Sequence, residues 1–225
     1  MLKINTLTAK ILAVLAITGS FAVGAQTFKF SESERKEQAQ RAATEAERNA
    51  RINAQLSTPC RDSLKNQRIL MLIGLEKFGV VDARQAGYSA HVQAVTARLT
   101  TVGLRALSAE EIRRQIAQAE IDAFFSGNTA GALGAAKKMQ AKYTLRGLVQ
   151  TTTSTNPVVN VPQVVVNLKF NLVGDNGAFQ SDYQKTDTSF SGIDTNATAL
   201  EMINRYADEA VAQLYADYCQ RAGVK

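Results

Sequence analysis

Two kinds of apolar pattern mark the strands of this chain. Arg68 to Leu75 is a continuous apolar run, which is typical of a strand buried on both faces. Val164 to Val173 instead alternates, with apolar residues at the even positions and Asn167, Lys169 and Asn171 between them. Because successive side chains of a strand point to opposite faces, this second pattern predicts a half-exposed antiparallel strand.

Apolar residues spaced three and four apart predict the helices. Tyr88 to Val102 has such a face, and so does the last segment, from Asp194 or Thr195 to about Cys219. Ser108 and Glu111 form a capping box, which predicts the start of another helix, and Ile112, Ile116 and Phe124 are expected to share one face of it. Further segments complete the pattern: strands at Leu104–Leu107, Tyr143–Thr152 and Ala178–Phe190, and a helix at Ala130–Gln140.

The order of these elements is strand, helix, strand, two helices, three-stranded meander, helix. It predicts a single α/β (α+β) domain over residues 58–225, with a mixed sheet flanked by helices. Gly174-Asp175-Asn176-Gly177 supplies the hairpin turn between the last two strands. The length is that of one hydrophobic core.

Residues 1–25 have the three parts of a secretory signal peptide. Lys3 and Lys10 precede the apolar run Ile11–Ile17. Val23-Gly24-Ala25 then offers the small residues that a signal peptidase recognises. We expect cleavage between Ala25 and Gln26, hence a periplasmic protein held at the envelope by partners. A retained anchor is the alternative, although the run is shorter than the ~20 residues of a membrane span. No cysteine lies near the cleavage site for lipid attachment.

Residues 26–57 are predicted to form a charged helical extension or spacer. The part from Ser31 to Leu56 has no Gly or Pro, and Glu32 lies four residues before Lys36. Its apolar positions are mostly alanine, which buries little surface, so the helix is expected to have little to pack against. A short coiled coil with a partner and a solvated extension are both compatible with this composition.

The net charge and the two cysteines bear on the expected partners and on a disulfide. The formal net charge is +6, and removing the signal takes away two lysines and no acids, which leaves a mildly basic protein. There is no concentrated basic tract or RNA-binding aromatic motif, so nucleic acid is not an expected partner. Cys60 and Cys219 are the two cysteines, and in an exported chain the pair favours a disulfide.

Catalytic and metal sites find little support in the sequence. His91 is the single histidine, lies off the apolar stripe of its helix and is expected at the surface. Glu110 and Glu111 are adjacent, so their side chains face different ways on a helix and are not expected to form an acid/base pair. The glycine-rich stretch 127–134 lacks the Gly-Lys-Ser/Thr ending of a phosphate-binding loop, and its Gly131 and Gly134 are expected to permit close helix-to-sheet packing. We therefore expect no enzyme, metal or cofactor.

One surface is a candidate for binding a partner. Asn167, Lys169 and Asn171 form the polar face of the meander, next to the Thr/Ser/Asn-rich segment 151–156. An outer strand of a meander offers unpaired backbone groups to a partner strand. An ordinary solvated face is the alternative interpretation.

The chain resembles a family of bacterial envelope α/β domains. The similarity lies in Leu99–Leu107 with its helix-ending glycine, in Ala136–Gly147 and in the turn Leu172–Gly177, and it spans about residues 62–220. The family includes the amino-terminal domain of the Tol–Pal translocation protein TolB, the curli secretion lipoprotein CsgG, the LpoB-like activators of penicillin-binding proteins and the middle domain of a flagellar assembly protein.

The resemblance implies a non-catalytic protein that docks components of an envelope machine, such as a secretion, flagellar, pilus or cell-wall apparatus. Its partners would be envelope proteins, including outer-membrane or cell-wall machinery or further copies of itself. An activator of a peptidoglycan synthase is the narrower alternative. A small-ligand-binding or hydrolytic periplasmic protein is the alternative from a different class, and it would need a deep pocket lined by converging polar groups.

Overall fold

The computed structural model of the chain describes residues 31–127, 129–190 and 194–222, without the side chains of residues 129–132. The predicted signal peptide and its cleavage site lie outside these residues. The helices are α1 (Glu32–Leu56), α2 (Arg61–Leu64), α3 (Ser89–Thr101), α4 (Ala109–Gln115), α5 (Gln118–Phe125), α6 (Thr129–Lys138) and α7 (Thr195–Arg221). The strands are β1 (Arg68–Lys77), β2 (Val80–Asp82), β3 (Arg105–Ala106), β4 (Tyr143–Thr155), β5 (Pro162–Gly174) and β6 (Phe179–Ser189).

The strands of the described residues form one six-stranded mixed sheet in the order β2-β1-β4-β5-β6, with β3 paired to the start of β1. β1 runs parallel to β4 and β3, whereas β4, β5 and β6 form an antiparallel meander. The predicted fold class, a mixed sheet flanked by helices in a single α+β domain, is confirmed.

Helices cover the two faces of the sheet unequally. On one face, α3 and α7 bury the even-numbered side chains of β5 from Val164 to Leu172 together with alternate residues of β1 and β4. On the other face, α4, α5 and α6 pack over Leu70 and Leu72 of β1. The continuous apolar run of β1 and the alternation in β5 follow from this arrangement, because only β1 is buried on both faces.

The predicted disulfide between Cys60 and Cys219 is present, with the two Cα atoms 5.6 Å apart. Both cysteines are buried in the core, Cys219 on the inner side of α7 and Cys60 directly before α2. The bridge therefore joins the start of the domain to the last turns of α7. Nearby, the hydroxyl of Tyr215 accepts from the backbone N–H of Cys60 and donates to the carbonyl of Thr58.

The second half of α1 packs on α7, contrary to the expectation of a helix with little to contact. Ile52 is buried, and Arg48 and Arg51 both pair with Glu209 at 3.4 Å. A boundary between two compact units falls within α1, between residues 41 and 42. The predominance of alanine in α1 did not reveal that Ile52, the partly buried Leu56 and two arginines hold this half of the helix.

Three further expectations differ from the structure. His91 is buried rather than at the surface, because its ring packs edge-on against Tyr88 at 5.6 Å. The helix after Ser108 ends at Gln115, and α5 begins a new one with Glu120 accepting from the N–H of Ala117. A Cβ added to Gly134 would contact nothing, so this glycine does not serve close packing of the helix on the sheet.

Candidate functional site: the open face and distal end of the sheet

The face of the meander opposite α7 is not covered by a helix of the described residues along β5 and β6. Its side chains stand in rows set by the register, and each row crosses β4, β5 and β6. One row joins Arg146, Asn171 and Asp182, the next Leu148, Lys169 and Gln184, and the third Gln150, Asn167 and Thr186. Along these three rows the open face is polar in β5 and β6, and its apolar member, Leu148 of β4, packs against the cluster under α4, α5 and α6.

The three residues proposed as a partner surface do share this open face. Asn167, Lys169 and Asn171 are all half-buried on β5. They do not lie on an edge strand, because β5 is hydrogen-bonded to β4 on one side and to β6 on the other. The outer strand of the meander is β6, so the expectation of unpaired backbone at these three residues is wrong. They can offer side chains to a partner, but not strand pairing.

One end of the sheet gathers most of the exposed large apolar side chains of the described residues. β1 and β4 end there, β5 begins there and β6 ends there, as their register requires. We call this the distal end. Phe179, at the opposite end, is the exception; the exposed apolar residues of the distal end are Phe78, Val80, Val158, Val159, Val161 and Phe190.

The β4–β5 hairpin is the most prominent part of the distal end, extending two residue pairs beyond the last pair of β5 and β6. Its tip is held by Asn156, whose side-chain oxygen accepts from the N–H groups of Val158 and Val159 at 2.9 and 3.2 Å. This Asx turn directs two valines outward, and Val158 is 88% exposed. The apolar tip is thus an ordered element of the fold.

Phe78 is the second prominent feature of the distal end. It forms the β1–β2 turn with Gly79, and both residues have positive φ, at 52° and 80°. Such a type I′ turn favours Asn-Gly, because a bulky side chain is strained in the left-handed region. The Phe78 ring is nevertheless 97% exposed and gains almost nothing from packing. Both backbone preference and hydrophobicity oppose phenylalanine here.

The distal end carries no charge along its main hairpin. From Gly147 to Leu168 the sequence has no acidic or basic residue. A hollow of about 360 Å³ lies between this hairpin and the β1–β2 turn, with Phe78, Gln150 and Asn167 among its lining residues. In it, the Gln150 amide donates to Glu76 at 2.8 Å. The surface therefore combines exposed apolar anchors with mostly neutral hydrogen-bonding groups.

A second, larger cleft of about 470 Å³ lies at the opposite end of the open face. It is bounded by α5, Leu133 of α6 and the β5–β6 turn, and Arg146 and Asn171 line it from the sheet. Sequence reasoning missed Arg146, because an arginine inside a strand pattern is usually an exposed side chain. Arg146 and Asn171 are register partners on β4 and β5 and therefore share a face, which side-chain alternation along β4 alone does not reveal.

Titratable groups elsewhere do not assemble a reaction centre within the described residues. The Arg84 guanidinium holds the pKa of Asp82 at about 2, and burial raises the pKa of Tyr88 to about 12. Burial lowers the pKa of His91, an effect that the backbone of Asn196 partly offsets. No group of three or more metal-ligating side chains is found among the residues that the structure describes.

Comparisons with known proteins give only distant likenesses. No protein-family model matches the chain, and no curated protein matches it. Solved structures that it resembles include lipoprotein GNA1162 from Neisseria meningitidis, at 14% identity and a TM-score of 0.44, covering 64% of this chain and 96% of that one. Another is the PelC dodecamer from Paraburkholderia phytofirmans, at 18% identity and 0.40, covering 64% and 87%.

A third similar structure is the LpoB C-terminal domain from Salmonella enterica, at 15% identity and a TM-score of 0.38, covering 62% of this chain and 97% of that one. LpoB was part of the resemblance seen in the sequence, whereas neither TolB nor CsgG is confirmed. All three TM-scores lie below 0.5, so we base no functional conclusion on them. Within the described residues, no helix has the length and apolar character needed to cross a membrane.

Proposed function

We propose that this protein is a non-catalytic adaptor of the bacterial periplasm that docks another envelope protein through the distal end of its sheet. The observation that carries the proposal is the group of exposed apolar side chains around Phe78 and the β4–β5 hairpin tip. Exposed large apolar side chains that gather at one end of a protein, rather than lying scattered over it, commonly mark interaction sites. Aromatic residues are the most frequent anchors of such interfaces.

The chemistry of the surface favours a protein as the occupant. The hairpin from Gly147 to Leu168 has no basic residue that would draw it to anionic lipid headgroups. Neutral amides, Gln150 and Asn167, lie beside the apolar anchors and can bond a partner's backbone. Apolar anchors surrounded by neutral polar groups are the usual composition of a protein interface. The matching partner surface is therefore mainly apolar.

The periplasmic setting is supported by the signal-like segment 1–25 and by the buried disulfide, since disulfides persist in oxidising compartments. An activator of a peptidoglycan synthase is the narrower form of the same proposal, in which the synthase is the docked partner. Added to a purified synthase, the protein would then raise its rate. An unchanged rate would remove this form for that enzyme and leave the adaptor proposal in place.

Site-specific photocrosslinking tests the docking surface. A photoreactive amino acid is placed at Val80 or Val159, both exposed at the distal end, and as a matched control at the exposed Arg113 of α4, in the full-length protein produced with its own signal. After irradiation of intact cells, mass spectrometry identifies the adducts. We expect both distal positions to capture the same exported protein and the control position to capture none.

Equal capture of one protein from all three positions would contradict docking at the distal end. Adducts with lipid would assign this surface to a membrane instead, and adducts only with a second copy would make the protein a self-assembling one. Either result would replace the proposal. A reciprocal crosslink, from the partner back to the β4–β5 hairpin, confirms that the contact is direct.

A further inference from the structure

The cleft opposite the distal end has the form of a small-ligand site. Its volume, about 470 Å³, lies in the range of pockets that enclose small molecules. Phe124, Leu133, Val173 and Phe179 supply apolar walls. Three polar residues, Thr144, Asn171 and Asn176, also line this space, and the Asn176 Oδ1 accepts from the N–H of Ala178 at 2.9 Å. An apolar cavity with a few converging polar groups is the usual composition of such a site.

Arg146 is the one basic residue among the lining residues of this cleft that the structure describes. Its guanidinium lies over the rings of Phe124 and Phe125, at 5.6 and 5.2 Å from their centroids. One terminal nitrogen donates to the carbonyl of Phe125 at 3.1 Å, whereas the buried Nε has no hydrogen-bond partner among the described residues. The aromatic rings stabilise the charge without accepting these N–H groups.

Arg146 also has no acidic partner among the described residues. The neighbouring turn does contain Asp175, but this carboxylate pairs with Lys142 at 3.0 Å. Partial burial lowers the pKa of Arg146, because withdrawal from water disfavours the charged form. Charged side chains that are withdrawn from water are normally paired, because the desolvation cost is otherwise uncompensated. The Arg146 guanidinium is therefore positioned to bind an anion that is not part of this chain.

The surroundings narrow the class of anion. A single guanidinium balances one negative charge, and the remaining polar groups, Asn171, Asn176 and Thr144, are neutral. A phosphate dianion would leave an unbalanced charge in a partly desolvated space. A carboxylate matches the planar guanidinium and can accept two N–H groups at once. The apolar walls then require an apolar body behind the carboxylate.

We propose that this cleft binds a small monocarboxylate with an apolar body, with Arg146 pairing the carboxylate and the Phe124, Leu133 and Phe179 walls enclosing the rest. The site is separate from the docking surface, so its failure and that of the adaptor proposal are distinguishable. Ligand binding here is an additional property of the protein and requires no catalytic residue.

Titration calorimetry with the mature, disulfide-intact protein tests the site. Octanoate is the probe, octanamide is its neutral analogue of the same shape, and inorganic phosphate is the anion without an apolar body. We expect octanoate to bind at least tenfold more tightly than octanamide, and phosphate to bind more weakly than either. Arg146→Gln should lower octanoate affinity at least tenfold while leaving octanamide affinity within about twofold.

The matched control is Arg113→Gln, which removes an exposed arginine of α4 and should leave octanoate affinity unchanged. Arg146→Lys keeps the charge but loses the planar fork, so an intermediate loss is expected. The comparison of octanoate with octanamide on the unaltered protein stands even if the Arg146 variants fold poorly. Equal binding of these two probes, no octanoate binding at millimolar concentration, or unchanged affinity in Arg146→Gln would each overturn the proposal.

Discussion

Replacing Phe78 with asparagine should stabilise the protein and abolish docking. The residue sits at φ 52°, where an L-residue other than glycine or asparagine costs roughly 1–2 kcal/mol. Asn relieves most of that strain, because its side chain tolerates the left-handed region and Asn-Gly is the favoured pair for this turn. The substitution therefore removes a large apolar side chain and nevertheless raises the free energy of unfolding.

The substitution loses little buried apolar surface, so this loss offsets only a small part of the relieved backbone strain. Phe78 is 97% exposed, so of the 150–250 Å² that a phenylalanine can bury, under about 10 Å² is withdrawn from water. At about 25 cal/mol per Å², this surface contributes roughly 0.2 kcal/mol. The net expectation is a gain of about 1 kcal/mol, which raises the Tm by about 2–4 °C for a domain of this size.

Urea unfolding followed by circular dichroism measures the change, with Phe78→Ala as the matched control. Alanine also removes the ring but keeps a side chain that is disfavoured at positive φ, so its unfolding midpoint should stay near that of the unaltered protein. Both variants should lose the crosslinked partner. If Asn and Ala variants unfold at the same urea concentration, or both earlier than the unaltered protein, the strain assigned to Phe78 is refuted.

Three further predictions concern the rest of the fold. Gly147→Ala should cost about 1–3 kcal/mol, because its Cβ would lie 2.9 Å from the Phe170 ring, whereas Gly134→Ala in α6 has free space and should stabilise by up to about 1 kcal/mol in the same urea assay. Reducing the disulfide, which spans 159 residues, should cost about 2–5 kcal/mol, and an unchanged urea midpoint after complete reduction would contradict this. Burial depresses the pKa of His91 below its unfolded value of about 6.5, so the stabilising neutral form is present above that pH and stability falls on acidification through it. His91→Phe should flatten the free energy of unfolding between about pH 7 and pH 5, and an unaltered slope would assign it to other groups.

The fold could largely be predicted from the sequence because its strongest patterns are unambiguous. The continuous run in β1 and the alternation in β5 arise from burial on two faces and on one, and both are visible without neighbours. The capping box at Ser108 is a local feature and was predicted in full. By contrast, β2 has three residues, too few to produce a periodic pattern.

The site was predicted only in part, because it depends on which strands are neighbours. The alternation of side chains along β5 correctly placed Asn167, Lys169 and Asn171 on one face. Whether a strand lies at the edge of the sheet depends instead on the order in which the strands pair, and β5 is an interior strand. Exposure of Phe78 could not be predicted, since a lone Phe-Gly pair does not reveal that its ring lacks a packing partner. The convergence of Arg146 with the α5 phenylalanines likewise depends on tertiary contacts.

Docking through the distal end is the central claim, and sedimentation of periplasmic extracts tests it most directly. The unaltered protein should sediment in a complex whose second member, identified by mass spectrometry, is an exported envelope protein. Phe78→Asn should sediment alone at the rate of its own mass, although it is the more stable protein. Sedimentation of the unaltered protein alone, or of both forms in the same complex, would contradict the account.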